Sequence, residues 1–293
     1  MRIIVVLLIF LFLLFLLFPH TSYATVMEFY DEQEDSWLID LKPYIFEVDE
    51  VLLNWNNIQN LTKYMQKQVY KEPENAYIDK DGKIIKEKPG FTLDVNQFHT
   101  LINEVYYGEV NKRLQVPKQS IPARVNKDLL KEIQERELNR FTTRFREGNV
   151  ERTRNIELAT EAINNTVIFP GEYFSFNEIV GERTQARGYL PAPVIVKGEF
   201  SEGIGGGICQ VSSTLFNAVD LQGIEITERY AHSREVPYVP KGRDATVSWW
   251  GPDFAFRNKY NEPLLIRATA KGGAMTVVIY TSNDASIFQA KSP

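Results

Sequence analysis

GIGGGICQVSSTLFN, residues 203–217, holds the only cysteine of the chain directly behind a triple glycine. Beyond Cys209, the residues Val211, Leu215, Ala218, Val219 and Leu221 recur at helical spacing, and Gly223 follows as a stop signal. The stretch reads as a loop and then a helix, with Cys209 at or just before the helix N-terminus and Ser212, Ser213 and Thr214 in the first turn. Unpaired backbone N–H groups and the positive end of the dipole favour a thiolate there. Gly205, Gly206 and Gly207 let the backbone come close to a substrate and turn its N–H groups toward one point, as an oxyanion hole for acyl transfer requires.

A thiol nucleophile needs a base, and the base needs an orienting partner. His232, in the RYAHS stretch, is the histidine of the same C-terminal part, and Asp244 and Asp253 are the nearby carboxylates. A Cys209–His232–Asp244 arrangement follows as a candidate, since catalytic partners meet in space rather than in sequence. A lone cysteine is also commonly a small buried hydrophobe, so a packing role stands beside the nucleophilic one. There is no cysteine cluster for zinc, and His20, His99 and His232 lie too far apart to suggest a metal site.

The chain has 293 residues, 44% of them hydrophobic, with a formal net charge of -5. That content supplies a real core, and the acidic balance lacks the basic face that nucleic-acid binding needs. Residues 1–24 read as Arg2, an apolar run from Ile3 to Phe18, then Pro19 and the small-x-small Ser22-Tyr23-Ala24. This is either a cleaved export signal or a retained N-terminal membrane anchor. Both place the rest of the chain outside the cytoplasm, in the cell wall or tethered to the membrane. In an oxidising compartment a single cysteine stands out, because exported proteins commonly pair theirs.

The organisation expected is α+β throughout. Residues 25–125 form a small α+β module: Val51 to Met65 at helical spacing, a hairpin across Asp81-Gly82, and a helix opened by Asp94. The charged stretch 126–141 reads as a linker helix. Residues 142–293 form a β-rich α+β domain with a helix over Asn155 to Asn164, strand-like Tyr173 to Phe176 and Ala245 to Trp250, and a closing hairpin of Leu264–Ala268 with Met275–Tyr280.

RTRNIELATEAINNTVIFPGEYFSFNEIVGE (152–182), GGGICQVSSTLFNAV, RYAHS, VPYVPKGRDATV and DFAFRN together resemble the VanW family over roughly 142–280. The stretch EPENAYIDKDGKIIKEKPGFTLDVNQFHTLI is similar to the peptidoglycan-binding module that often precedes such domains. Some members of the family are L,D-transpeptidases that form 3→3 peptidoglycan cross-links through a cysteine. The resemblance implies that Cys209 is that nucleophile and His232 its base, with peptidoglycan stem peptides as partners and no cofactor. Asp244 extends this as orienter. Arg183, Gln210, Ser212 and Ser233 are candidate substrate-binding residues, and Arg183 or Lys241 would hold a stem carboxylate. Two other readings use the same residues: a peptidoglycan-binding protein without activity, and an L,D-carboxypeptidase that passes the acyl group to water.

Overall fold

Asn54 and Asp94 each open a helix by accepting backbone N–H groups of the first turn, Asn54 from Asn56 and Asn57 and Asp94 from Gln97. The helices, Trp55–Val69 and Val95–Tyr106, bury Ile58, Leu61, Met65, Phe98 and Ile102 on their apolar faces. These pack with Met27, Phe29 and Leu41 into one core. Strand Val26–Tyr30 pairs antiparallel with Ser36–Asp40 and parallel with Arg113–Gln115. In this computed structural model the described residues are 26–46, 49–108, 113–196 and 199–287. The leader expected over 1–24 lies outside them, and among the described residues no helix is long and apolar enough to cross a membrane.

The elements just named belong to a first unit, Met1–Glu74 with Lys88–Arg124; the second is Asn75–Glu87 with Val125–Pro293. The hairpin of Tyr77–Ile78 and Ile84–Ile85 forms across Asp81-Gly82 as its turn chemistry requires. Although expected with the first module, it belongs to the second unit. Ala76 and Ile78 are buried with Val125, Leu130, Ile133 and Leu265. Both backbone groups of Ile78 are bonded by the side-chain amide of Asn165.

The second unit is built on a four-stranded antiparallel sheet in the order Arg136–Arg144, Ala274–Thr281, Leu264–Lys271, Val167–Ile168. The closing hairpin read from sequence thus supplies the central strands. The linker helix expected over 126–141 is corrected: only Lys127–Glu132 is helical, and from Arg136 the chain is a strand of this sheet. Charged residues misled there, because an edge strand exposes one face and can carry Arg and Glu on it. A second sheet orders Tyr173–Ser175, Ala255–Asn258, Ile224–Glu228, and a two-stranded ribbon pairs Pro191–Val196 with Glu199–Ile204.

Two helices, Val150–Ile163 and Ile208–Val219, pack against the four-stranded sheet and against each other. Every residue of Ile208–Val219 except Cys209 is buried. A helix apolar or satisfied all round belongs in the core, and its hydroxyls bond back along the helix, Ser213 to the Cys209 carbonyl and Thr214 to that of Gln210. The helix stops at Val219, short of Gly223, which lies in the next turn under the Tyr260 ring. Ala245 to Trp250 forms no ladder, contrary to the strand expected. Its polar groups are instead taken by the cysteine helix and nearby turns: Ser212 Oγ donates to the Ala245 carbonyl and Ala245 N–H to Ser213 Oγ.

The glycine triplet makes this packing possible. A methyl group on Gly206 would sit 2.6 Å from the carbonyl carbon of Ala192 and 2.7 Å from the carbonyl oxygen of Pro193, both main chain. We expect Gly206→Ala to cost about 1–3 kcal/mol in urea unfolding. Gly148→Ala, where a methyl meets nothing within 4 Å, should change stability by less than about 0.5 kcal/mol.

Candidate active site

Gly205 and Gly207 adopt φ of 87° and 109°, a region L side chains rarely enter. They turn the end of the ribbon into the cysteine helix, for which Gly207 is the N-cap. Asn155, fully buried, fixes this turn: its Nδ2 donates to the carbonyls of Leu190 and Gly206, and its Oδ1 accepts from Leu190 N–H. The N–H of Gly205 is spent on the Leu190 carbonyl, so Gly205 drops out of the expected oxyanion hole. Among the described residues, the N–H groups of Gly206, Gly207 and Cys209 have no acceptor, which leaves three donors at one helix start.

Cys209 is half-buried. Its Sγ lies 3.5 Å from the Val247 carbonyl and 3.8 Å from Thr246 Oγ1. Burial pushes the thiol up, but the hydrogen bond and positive charge of His232 outweigh it, and the net direction is below the ordinary cysteine value. Burial pulls His232 down, while the facing thiolate and Asp244 pull it up further, so it ends raised. The pair is thus inclined toward thiolate and imidazolium.

Asp244 accepts both the backbone N–H of His232 and its Nδ1–H on one oxygen, each at 2.6 Å. With a carboxylate on Nδ1, the nitrogen free to face sulfur is Nε2. The two side chains are only 6% and 10% exposed. Burial raises the Asp244 carboxyl, but the His232 backbone and ring hold it below the ordinary range. The loop carrying Asp244 is fastened to the cysteine helix. Asn217 donates to the Arg243 carbonyl and accepts from Arg243 Nε, and Arg229 Nε donates to the Asp244 carbonyl. Phe216 lies within 4.5 Å and 4.7 Å of the Arg229 and Arg243 guanidinium carbons.

The thiol and imidazole open onto a cavity of about 1030 Å³, at the upper limit of small-molecule sites. Arg183 lines it, and so do Arg144, Arg146, Arg152, Tyr238 and the Trp249–Trp250 pair. Burial pushes the Tyr238 phenol far up, so it stays a neutral O–H donor. The other expected binding residues fare differently. Gln210 lines the cavity too but is buried and spent: its Oε1 takes Arg152, and its Nε2 donates to Thr143 and to the Arg144 carbonyl. Ser212 is fully buried and turned to the Ala245 carbonyl. Ser233 lies outside the cavity lining, and so does Lys241, which pairs with Glu235 on the surface. Asp253, the other nearby carboxylate, caps the helix Phe176–Val180 through Asn177 N–H and Ser175. His99 is bonded to Thr62 in the first unit. Among the described residues no group of three or more His, Cys, Asp or Glu could hold a metal ion.

Sequence reasoning missed Asn155, Arg152, Asn217, Arg229 and Tyr238. Their signal was position: Asn155 and Arg152 open the 152–182 stretch, and Arg229 and Arg243 flank His232 and Asp244 in their own motifs.

These shifts predict the pH profile of alkylation. A depressed thiol pKa keeps sulfur ionised where an ordinary cysteine is protonated, so the rate with iodoacetamide should reach half its plateau below about pH 8.5. His232→Ala removes the opposing charge and leaves burial, so its midpoint should move above that of the wild type. A wild-type midpoint at or above 8.5 would contradict the ion pair.

A family model described as VanW like protein matches residues 151–280. YoaR, an uncharacterized protein of Bacillus subtilis (strain 168), is 47% identical over 232 residues, 79% of this chain and 77% of its own length. The vancomycin B-type resistance protein VanW of Enterococcus faecalis (strain ATCC 700802 / V583) is 33% identical over 109 residues, 36% of this chain and 40% of its own. No solved structure matches. The matched span takes in the glycine turn, the thiol, the imidazole and the carboxylate, and the chain belongs to the VanW-like family.

Proposed function

We propose that the protein is an extracytoplasmic cell-wall acyltransferase, a cysteine L,D-transpeptidase that forms 3→3 cross-links between peptidoglycan stem peptides. The observation that carries this reading is the grouping of Cys209, His232 and Asp244 at a helix start where the N–H groups of Gly207 and Cys209, both lining the cavity, are unspent. The N-terminal unit would bind peptidoglycan, and residues 1–24 would export the chain or anchor it to the membrane.

In this mechanism His232 Nε2 holds the proton taken from the thiol, and Cys209 sulfur attacks the carbonyl between residue three and the terminal D-Ala of a tetrapeptide stem. The carbonyl π pair moves onto oxygen, which the Gly207 and Cys209 N–H groups, both at the cavity wall, stabilise. Collapse breaks the C–N bond, His232 gives its proton to the departing amine, and a thioester remains on Cys209. An amine from a second stem attacks the thioester and passes its proton to His232, and the C–S bond breaks to restore the thiolate. Asp244 keeps the imidazole in the tautomer that makes this transfer possible.

The test is incubation of wild type, Cys209→Ala and His232→Ala with tetrapeptide muropeptides, read by mass spectrometry. We expect a cross-linked dimer from the wild type, none from Cys209→Ala, and a loss of about 10²–10⁴-fold in His232→Ala. A trimmed tripeptide without dimer would reassign the acyl acceptor to water. Unchanged muropeptides from folded wild type would sink catalysis and leave a binding protein.

A further inference from the structure

The charge around the thiol is out of keeping with the chain. The protein carries a net -5, yet the cavity is lined by Arg144, Arg146, Arg152 and Arg183 against Glu182 and Glu235, and Glu235 is paired with Lys241. A concave wall with an excess of positive charge focuses its field on the ligand.

Two of these arginines are built into the glycine turn itself. A methyl on Gly205 would meet the Arg183 Cβ and Cγ at 3.2 Å and 3.3 Å, and one on Gly207 would meet the Arg152 Cγ at 2.9 Å. The stems of both side chains therefore lie against opposite ends of the turn that presents the free N–H groups. Both guanidiniums act electrostatically on Cys209. Arg152 is aimed by Gln210, whose Oε1 accepts from its Nη2 at 2.7 Å. Arg183 has no such partner. Its Nη1 and Nη2 are buried and donate to no described group, while its guanidinium carbon stands 5.7 Å from the centre of the Phe176 ring. Buried donors left unmade are costly, so a charged fork kept in that state at a cavity wall marks the seat of an anion.

We propose that the cavity is a receptor for two carboxylates, Arg183 taking one and Arg152 the other, on opposite sides of the peptide bond that Cys209 attacks. This rests on the acyl-transfer reading and narrows its substrate to a doubly acidic donor peptide. The planar fork of arginine matches a carboxylate through two parallel hydrogen bonds, which a lysine cannot supply. Arg144 and Arg146, both exposed, add attraction at longer range.

The test uses the full-length Cys209→Ala chain and four forms of an uncleaved tetrapeptide: the diacid, its two mono-amides and the diamide, with binding measured by calorimetry. Each amidation should weaken binding by about tenfold to hundredfold. Adding Arg183→Gln should abolish the penalty for one mono-amide and Arg152→Gln that for the other, with Arg183→Lys recovering part of the loss. Equal binding of all four forms, undiminished discrimination in both arginine variants, or no binding of the diacid at millimolar concentration would each overturn the proposal. Intact-mass detection of an acyl group on wild-type Cys209 keeps the two readings apart. Acylation indifferent to amidation removes the receptor and keeps the transferase; discriminating binding without acylation does the reverse.

Discussion

Where Gly206 meets the backbone of Ala192 and Pro193, two main chains run closer than any side chain would allow. That approach sets the start of the cysteine helix against the ribbon, and the Asn155 amide locks it by holding carbonyls from both sides of the contact. Everything chemical about the site follows from it. The turn into the helix leaves N–H groups without acceptors, brings the thiol to the cavity wall, and gives the stems of two arginines a surface to lie on.

The same helix fixes the other end of the relay. Cys209 sits in its first turn, while Phe216 and Asn217, two turns on, clasp the loop that carries Asp244. One rigid element therefore sets the spacing between thiol and carboxylate, and His232 lies between them with its ring and its backbone both tied to Asp244. A thiol, an imidazole and a carboxylate braced against one buried helix have little freedom to loosen, which is what the preorganised electrostatics of the proposed chemistry would require. The hydroxyls of Ser212, expected to bind substrate, and of Ser213 belong to this scaffold: they stitch the 245–248 segment to the helix at Ala245 and so position the Thr246 and Val247 atoms around the sulfur.

Much of this was legible in the residues. The Asp81-Gly82 hairpin, the helix opened by Asp94, and the pairing of Leu264–Lys271 with Ala274–Thr281 formed where local patterning placed them, whereas the helix expected from Val51 begins only at Trp55, because Asp49–Leu53 is a strand. That His232 meets Asp244 beside the thiol was legible because each residue lay in a compact motif of unusual composition. Charge density in 126–141 was read as helix, when an exposed strand face accommodates the same residues. The β-prone Ala245 to Trp250 forms no ladder, because side chains of the cysteine helix claim its polar groups. Such competition is tertiary and leaves no periodic trace. Gln210 looked like a ligand contact for a related reason: its neighbours in space, Thr143 and Arg152, are far away in sequence.

The hairpin over 75–87 gives the chain an interleaved order. The backbone passes from one unit to the other at 74–75, returns at 87–88 and passes again at 124–125. No single cut frees either unit, since a fragment beginning at Val125 lacks the strands that cover Leu265, and one ending at Arg124 carries them with nothing to cover. Synthesis meets the same problem in time. Ile78 leaves the ribosome long before Arg267, 189 residues later, arrives to donate to its carbonyl. The C-terminal unit therefore closes late, as contacts of long sequence separation do.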